Sequence, residues 1–342
     1  LFGLAIRKQH RYREALPWLQ RTLELDPLSP DALIDLATTL SFTGAAQAAE
    51  DLYLRLIELA PQQIMSYREL AYHYVRQGQL NEAHDTWRRL LAISPDYLPA
   101  IYEIARIYLL LGDTETADQW IARLQAVPDE SEFGQFIKGG ALLTMDLQNE
   151  DFDSARDRVK RMRQIFEDNR FLLIYAAGVE AAAGDLDEAR QYMDQAEQAA
   201  ASDPNWPFSI TFFHEGYPML DGVLQGFLYL ATDKKFEGVL KLKASLDFIE
   251  SLWDQGWSVG VTSYVAAQIY AVQWRKRKAI GLLQRAYEEG WRDYRQALLD
   301  PALAALREEP EFDSLMNRME GDATKVLAKL RSRNANVLPS SN

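Results

Sequence analysis

The chain has 342 residues, of which 48% are hydrophobic and 25% charged, and its formal net charge at neutral pH is −13. These proportions are typical of a folded chain, not a disordered one. The acidic balance argues against a nucleic-acid partner, because phosphate binding depends on a surplus of lysine and arginine. The sequence contains no cysteine, which excludes disulfides, thiolate nucleophiles and cysteine-bearing zinc sites. The compartment, cytoplasmic or periplasmic, is left open.

No apolar run is long enough to cross a bilayer. The longest candidate, 98–111, is interrupted by Glu103 and Arg106. We therefore predict no membrane span in this chain.

Helical runs follow one another from the N-terminus, and a proline ends each of the first three. Pro27, Pro61 and Pro95 stand 34 residues apart. Two antiparallel helices come closest where the side chains are small, so small residues at a fixed step predict repeated helix pairs. Such residues recur with the same period in two series, Ala15, Ala49, Ala83 and Ala117 in one and Gly3, Ala37, Ala71 and Ala105 in the other.

The third unit carries the clearest pattern of large and small residues. It consists of Tyr67, Leu70, Ala71, Tyr74, Gly78, Ala83, Trp87, Leu90 and Pro95. This pattern resembles the tetratricopeptide-repeat (TPR) family, and the resemblance implies an all-α superhelix of stacked helix-turn-helix units. The first unit begins at about its seventh position, so we expect it to be truncated and the chain to be a fragment of a longer protein.

Weaker copies of the unit follow, so we predict an all-α solenoid of about eight TPR-like units with a C-terminal helical cap. Pro301 and Pro310 are expected to open two short capping helices. The predicted divisions are 1–130 for units one to four, 131–200 for units five and six, 201–218 for an aromatic insertion, 219–295 for divergent units seven and eight, 296–333 for the capping helices, and 334–342 for a disordered tail.

The C-terminal end has a second resemblance. Ala286 to Trp291, then Leu299 to Pro301, Pro310 and Phe312 are similar to the ending of bacterial TPR domains that are fused to winged-helix regulators, adenylate cyclases or sulfatases. This resemblance implies that the chain is a sensing or docking module of a larger protein.

Catalytic and metal-binding motifs are weak. Residues 256–260 fit the G-x-S-x-G nucleophile elbow, but a helix is predicted before them and no histidine follows Ser258. We interpret this motif as a turn between helices. The four histidines lack the i, i+4 partners of a helical metal site. We therefore predict a non-enzyme with no metal and no cofactor.

The family resemblance implies that a partner lies along the first helices of the units, on the concave face. Arginine and tyrosine are prominent among the residues mapped there, and they suit an acidic peptide or a C-terminal carboxylate. In the alternative interpretation, these arginines pair with acidic residues on neighbouring helices. The predicted groove consists of Ile34, Thr38, Phe42, Met65, Arg68, Tyr72, Arg76, Tyr102, Arg106 and Leu109.

A second candidate surface is the aromatic insertion. Its aromatic residues either pack back on the solenoid or form an exposed patch for a partner or a second copy of the chain. They are Trp206, Phe208, Phe212, Phe213 and Tyr217. The oligomeric state is left open.

Three functional hypotheses follow. The first is a protein-binding scaffold, the docking module of a bacterial regulator. The second is an accessory domain of a sulfatase- or cyclase-type enzyme whose catalytic part lies N-terminal to this chain. The third is a structural subunit of an envelope or secretion assembly.

The repeat alignment gives a first testable prediction. Ala83→Phe should lower the free energy of unfolding by about 1–3 kcal/mol, because a close helix contact cannot accept the added volume. Thermal melting followed by circular dichroism measures this effect. An unchanged melting temperature would contradict the alignment of the third unit.

Overall fold

The computed structural model describes residues 2–166, 169–202 and 218–335. Within these ranges the regular structure is entirely helical, with eighteen α-helices and one 3₁₀ helix and no strand. None of these helices combines the length and the apolar character needed to cross a membrane. The five aromatic residues of the predicted insertion lie outside the described residues, as do residues 336–342 of the predicted tail.

The helices form eight consecutive pairs, and the two helices of each pair pack against each other. The pairs are α1 (Phe2–Arg7) with α2 (Tyr12–Leu25), α3 (Pro30–Phe42) with α4 (Ala46–Leu59), α5 (Ile64–Arg76) with α6 (Leu80–Ile93), α7 (Leu98–Leu110) with α8 (Thr114–Ala126), α9 (Glu132–Gln148) with α10 (Phe152–Arg163), α11 (Arg170–Ala183) with α12 (Leu186–Ser202), α13 (Pro218–Ala231) with α14 (Lys235–Asp254), and α15 (Gly260–Val272) with α16 (Lys276–Glu288).

Three further elements follow the eighth pair: α17 (Tyr294–Leu299), the 3₁₀ helix (Pro301–Leu306) and α18 (Pro310–Ala335). The expectation of two short capping helices is wrong for the second of them, because α18 has 26 residues. This helix also extends into the predicted tail. Its length lets it reach back to the N-terminal repeats.

Small residues lie where the helices of a pair cross. Ala49, Ala83 and Ala117 have no exposed surface, and Trp87 and Tyr53 are equally buried beside them. Since each pair leaves an apolar face uncovered, stacking of the next pair buries it. One continuous core extends from the second pair to α9 and includes Leu330 of α18.

The C-terminal pairs do not extend away from the N-terminal ones but pack along their inter-helix turns. Trp257 stacks on Phe42, with ring centroids 4.3 Å apart, and the Ser258 N–H donates to the Phe42 carbonyl oxygen at 2.8 Å. Further along, Arg295 Nε donates to Gln148 Oε1 at 3.0 Å. The segment from 257 to 295 therefore contacts the turns of successive units, and the array closes on itself.

Helix α18 strengthens this closure with ion pairs to the N-terminal repeats. Arg331 Nη2 lies 2.9 Å from Asp113 Oδ2, Arg333 pairs with Asp85, and Lys329 Nζ lies 3.7 Å from Glu82 Oε1. The Asp113 carboxylate is buried and also caps α8 by accepting the Thr116 N–H at 3.2 Å. The basic residues of α18 thus contact the N-terminal repeats at three points.

Glycine is required at position 290, where the two halves meet. Gly290 has a φ of 98°, in the left-handed region that favours glycine. An added Cβ would also overlap the Arg76 carbonyl oxygen and the backbone of Gln77. The backbones of the two halves therefore touch directly at this point.

We expect Gly290→Ala to lower the free energy of unfolding by about 2–4 kcal/mol, because the strained φ and the steric overlap add together. Urea denaturation measures this change. The control is Gly281→Ala on α16, where an added Cβ meets no atom within 4 Å. This substitution should raise the free energy of unfolding by about 0.5–1 kcal/mol. Equal stability of Gly290→Ala and the wild type would show that the closed contact does not form in solution.

Candidate ligand-binding chamber

The closure of the array leaves a chamber with a volume of about 640 Å³. Side chains from the first helices of units two to eight line it, together with the segment from 290 to 302 and Arg307. Much of this surface is apolar, and Phe136, Phe171, Ile174 and Phe227 contribute to it. Roughly 300–1,000 Å³ is the usual size of a site that encloses a small ligand. The chamber can therefore enclose a short segment of chain but not an extended peptide.

The structure divides the predicted groove residues into two sets. Those that line the chamber are Phe42, Arg76, Tyr102, Arg106 and Leu109. The other five do not line it.

Two residues of the second set belong to the core. Thr38 and Tyr72 are 5% and 8% exposed. The Thr38 hydroxyl lies 2.9 Å from the Tyr53 hydroxyl, and Tyr72 packs edge-on against Trp87. The expectation that these two side chains face a partner is therefore corrected, because they hold neighbouring helices together.

The remaining three groove residues lie outside the chamber with different environments. Met65 is 37% exposed, and Ile34 is half-buried. Arg68 Nη2 pairs with Glu69 Oε1 at 2.7 Å. These residues belong to the surface of the second and third units.

Arg106 in the chamber wall also has an acidic partner. Its Nη2 lies 2.7 Å from Glu103 Oε2, and that carboxylate is almost fully buried. Arg68 and Arg106 thus each pair with an acidic residue of their own helix. Both arginines are held in fixed positions by these contacts.

Arg76 is arranged differently. Its guanidinium carbon lies 4.6 Å from the centre of the Phe42 ring, and its Nε donates to Ser41 Oγ at 3.1 Å. Its Nη2 is buried and has no hydrogen-bond partner among the described residues. Because an unsatisfied buried donor is costly, Arg76 can gain stability from a ligand acceptor.

The opposite wall comes from the C-terminal units, which the sequence did not place near the groove. Tyr264 stacks on Trp291 with ring centroids 4.2 Å apart. Tyr264 and Gln268 each donate to Asp300 Oδ2 at 2.5 Å. Gln268 Oε1 is buried and has no partner among the described residues. The eighth unit therefore adds a hydrogen-bond acceptor to the chamber that Arg76 and Arg106 also line.

The acidic residues of this wall are shifted toward their neutral forms. Burial raises the pKa of Asp300, although hydrogen bonds from Tyr264, Gln268 and the Ala302 N–H oppose it. Burial likewise raises the pKa of Asp293 against the opposing hydrogen bond of the Gln296 N–H. The raised pKa values reduce the negative charge that Asp293 and Asp300 place on this wall.

The G-x-S-x-G motif forms no nucleophile elbow. Its residues 256–260 connect α14 to α15, which confirms the prediction of a turn between two helices. Across the described residues, no group of three histidine, aspartate or glutamate side chains comes together as a metal-binding cluster.

Comparisons with known proteins agree with the helical-repeat fold. Residues 7–71 and 74–134 match the family model of the tetratricopeptide repeat. A crystal structure of a tetratricopeptide repeat protein from Parabacteroides merdae superposes with a TM-score of 0.53 at 16% identity, covering 83% of this chain and 96% of that one. No curated protein sequence matches significantly.

Two larger proteins have lower scores. The Cut9–Hcn1 hetero-tetramer of the APC/C gives a TM-score of 0.49 at 14% identity, and this chain covers 54% of that one. Yeast Tom70 gives a TM-score of 0.49 at 15% identity, with 60% of its length covered. The chain thus spans little more than half of either protein.

The chain folds as an all-α solenoid of stacked helix pairs. Its portion from residue 7 to residue 134 is similar to tetratricopeptide repeats, which are generally protein-interaction modules.

His73 contacts Ser41, which accepts a hydrogen bond from Arg76. This histidine gives a prediction for how stability depends on pH. The ring nitrogen Nδ1 of His73 lies 2.8 Å from Ser41 Oγ, and burial, followed by the charge of Arg76, lowers the pKa of His73 to about 3. In the unfolded chain, His73 takes up a proton as the pH falls through about 6.5, whereas in the folded chain it stays neutral there. The stability that this histidine contributes is therefore complete above that pH and is lost as the pH falls.

When the pH falls from 6.5 to 5, the free energy of unfolding of the wild type should decrease by about 2 kcal/mol more than that of His73→Asn. Asparagine keeps a polar partner for Ser41. Urea titrations at both pH values measure the difference. Identical pH dependence of the two proteins would show that His73 is not buried in its neutral form.

Proposed function

We propose that this chain binds a partner protein by enclosing a short peptide segment of it in the central chamber. The observation that carries the proposal is the chamber itself, which the first helices of units two to seven line and which the eighth unit and the segment from 290 to 307 complete. The concave face of a repeat array is its usual binding surface. Its closure limits the ligand to a short segment, such as the end of a chain or a narrow loop.

The polar groups of the chamber support an acidic segment or a C-terminal carboxylate as the ligand. Arg76, Arg106, Arg292 and Arg307 contribute to the lining, and planar guanidinium groups suit carboxylates. The buried Arg76 Nη2 has no acceptor in the described protein. A ligand carboxylate at this point would satisfy that donor.

Gln268 and the apolar lining around it favour a peptide over a simple anion as the ligand. Gln268 Oε1 needs a donor, which a backbone N–H supplies. The aromatic and aliphatic lining around it suits an apolar side chain. We further propose that this module serves a larger bacterial regulatory protein, on the basis of the C-terminal segment from 286 to 312.

The test blocks the chamber without disturbing the fold. Gly178 of α11 lines the chamber, and a Cβ added there meets no atom within 4 Å. Gly178→Phe should therefore fold normally and fill the space where a ligand would lie. The matched control is Gly281→Phe, at a surface position of α16 that is equally open.

Wild type, Gly178→Phe and Gly281→Phe are each used to select from a display library of random short peptides. We expect wild type and the Gly281 variant to enrich the same peptides, and the Gly178 variant to lose about tenfold or more in affinity for them. Melting temperatures confirm that all three proteins are folded. Equal enrichment by all three would place the peptide site outside the chamber.

A further inference from the structure

A second cleft lies between α10, α11 and α12 and shares no lining residue with the chamber. Its volume is about 710 Å³. Val159, Ala176 and Val179 supply its apolar surface, and the Tyr192 ring contributes to its lining. Its charged side chains come mainly from α10.

Helix α10 is basic in an acidic protein. Arg156, Lys160 and Arg163 follow one another at intervals of four and three residues and all line the cleft. This spacing places them on one face of the helix. Like charges at such intervals destabilise a helix, so their position at a cleft calls for a compensating anion.

The positive charge of Arg156 is paired with acidic residues of the same chain. Its Nη2 lies 2.6 Å from Glu180 Oε2, and its Nε donates to Glu180 Oε1 at 3.0 Å. Asp153 adds a weaker pair, at 3.7 Å. The charge of Arg156 is thus neutralised, and Arg156 mainly shapes one end of the cleft.

Lys160 and Arg163 have no acidic partner in the part of the chain that the structure describes. Arg163 is nevertheless held in place: its guanidinium carbon lies 5.4 Å from the centre of the Tyr192 ring, and its Nη2 donates to Gln195 Oε1 at 3.2 Å. Its Nε is buried and has no hydrogen-bond partner among the described residues. Two cations without an acidic partner among the described residues, one with a fixed and unsatisfied donor, therefore line a cleft that is part polar and part apolar.

We propose that this cleft binds a small organic anion with an aromatic or aliphatic body. The anionic group pairs with Lys160 and Arg163, because these cations of the cleft have no acidic partner among the described residues. The body packs on the half-buried Tyr192 ring, beside the buried side chains of Val159 and Val179. Glu180 and the exposed Asp157 also line the cleft and repel a highly charged ligand, so a single anionic group is favoured.

The probes are naphthoate and naphthyl phosphate, which place a carboxylate or a phosphate on the same apolar body. Neutral naphthol and inorganic phosphate supply the body and the anion separately. Isothermal titration calorimetry compares wild type with Lys160→Gln and Arg163→Gln. The control Arg161→Gln removes the same charge from an exposed position of the same helix, outside the cleft.

We expect at least one naphthyl anion to bind wild type and the Arg161 variant equally, and about tenfold more weakly to the Lys160 and Arg163 variants. The better of the two anions identifies the headgroup. Naphthol and inorganic phosphate should both bind more weakly than the combined probe. Gly178→Phe, which fills the chamber, should leave the affinity unchanged.

Three results would overturn the proposal. The first is that neither naphthyl anion binds, and the second is that Arg161→Gln weakens binding as much as Lys160→Gln does. The third is that Gly178→Phe abolishes binding while the α10 variants keep it, which would place the anion in the chamber. None of these results affects peptide binding by the chamber, which the peptide selection tests separately.

Discussion

The close approach of the C-terminal units to the turns of the N-terminal units is the constraint on which the structure depends. Small turn residues make this approach possible. Gly44 and Gly78 have positive φ, and a Cβ on Gly78 would lie 2.5 Å from the guanidinium carbon of Arg292. At position 78 glycine therefore does two things, since it permits the left-handed backbone and leaves room for Arg292 of the second half of the chain.

The closure changes what the concave face can bind. An open superhelix offers a long groove along its first helices, whereas here the C-terminal units cover much of that surface. What is left is bounded by Arg76 on one wall and Gln268 on the other, each with a buried polar atom that the described protein does not satisfy. The site is thus shared by elements almost two hundred residues apart, and its geometry depends on the contact between the two halves.

Local patterns in the sequence were sufficient for the fold class, because Ala83, Trp87 and their equivalents report contacts within a unit and between neighbours. They were insufficient for the candidate site, because its second wall depends on contacts distant in the chain. Tyr264 and Gln268 look like ordinary first-helix residues in the sequence. One signal could have indicated the closure: Gly-Trp occurs at 256 and again at 290, and both copies lie where the halves meet.

Solenoids normally gain or lose whole repeats easily, because each unit contacts only its immediate neighbours. This chain cannot do so, since the pair formed by Arg331 and Asp113 joins positions that are 218 residues apart. Inserting or deleting one unit between them would move every later contact out of register, from Trp257 on Phe42 to Arg295 on Gln148. The number of repeats is therefore fixed by geometry, and evolutionary change in this protein should occur by substitution within units and not by duplication of them.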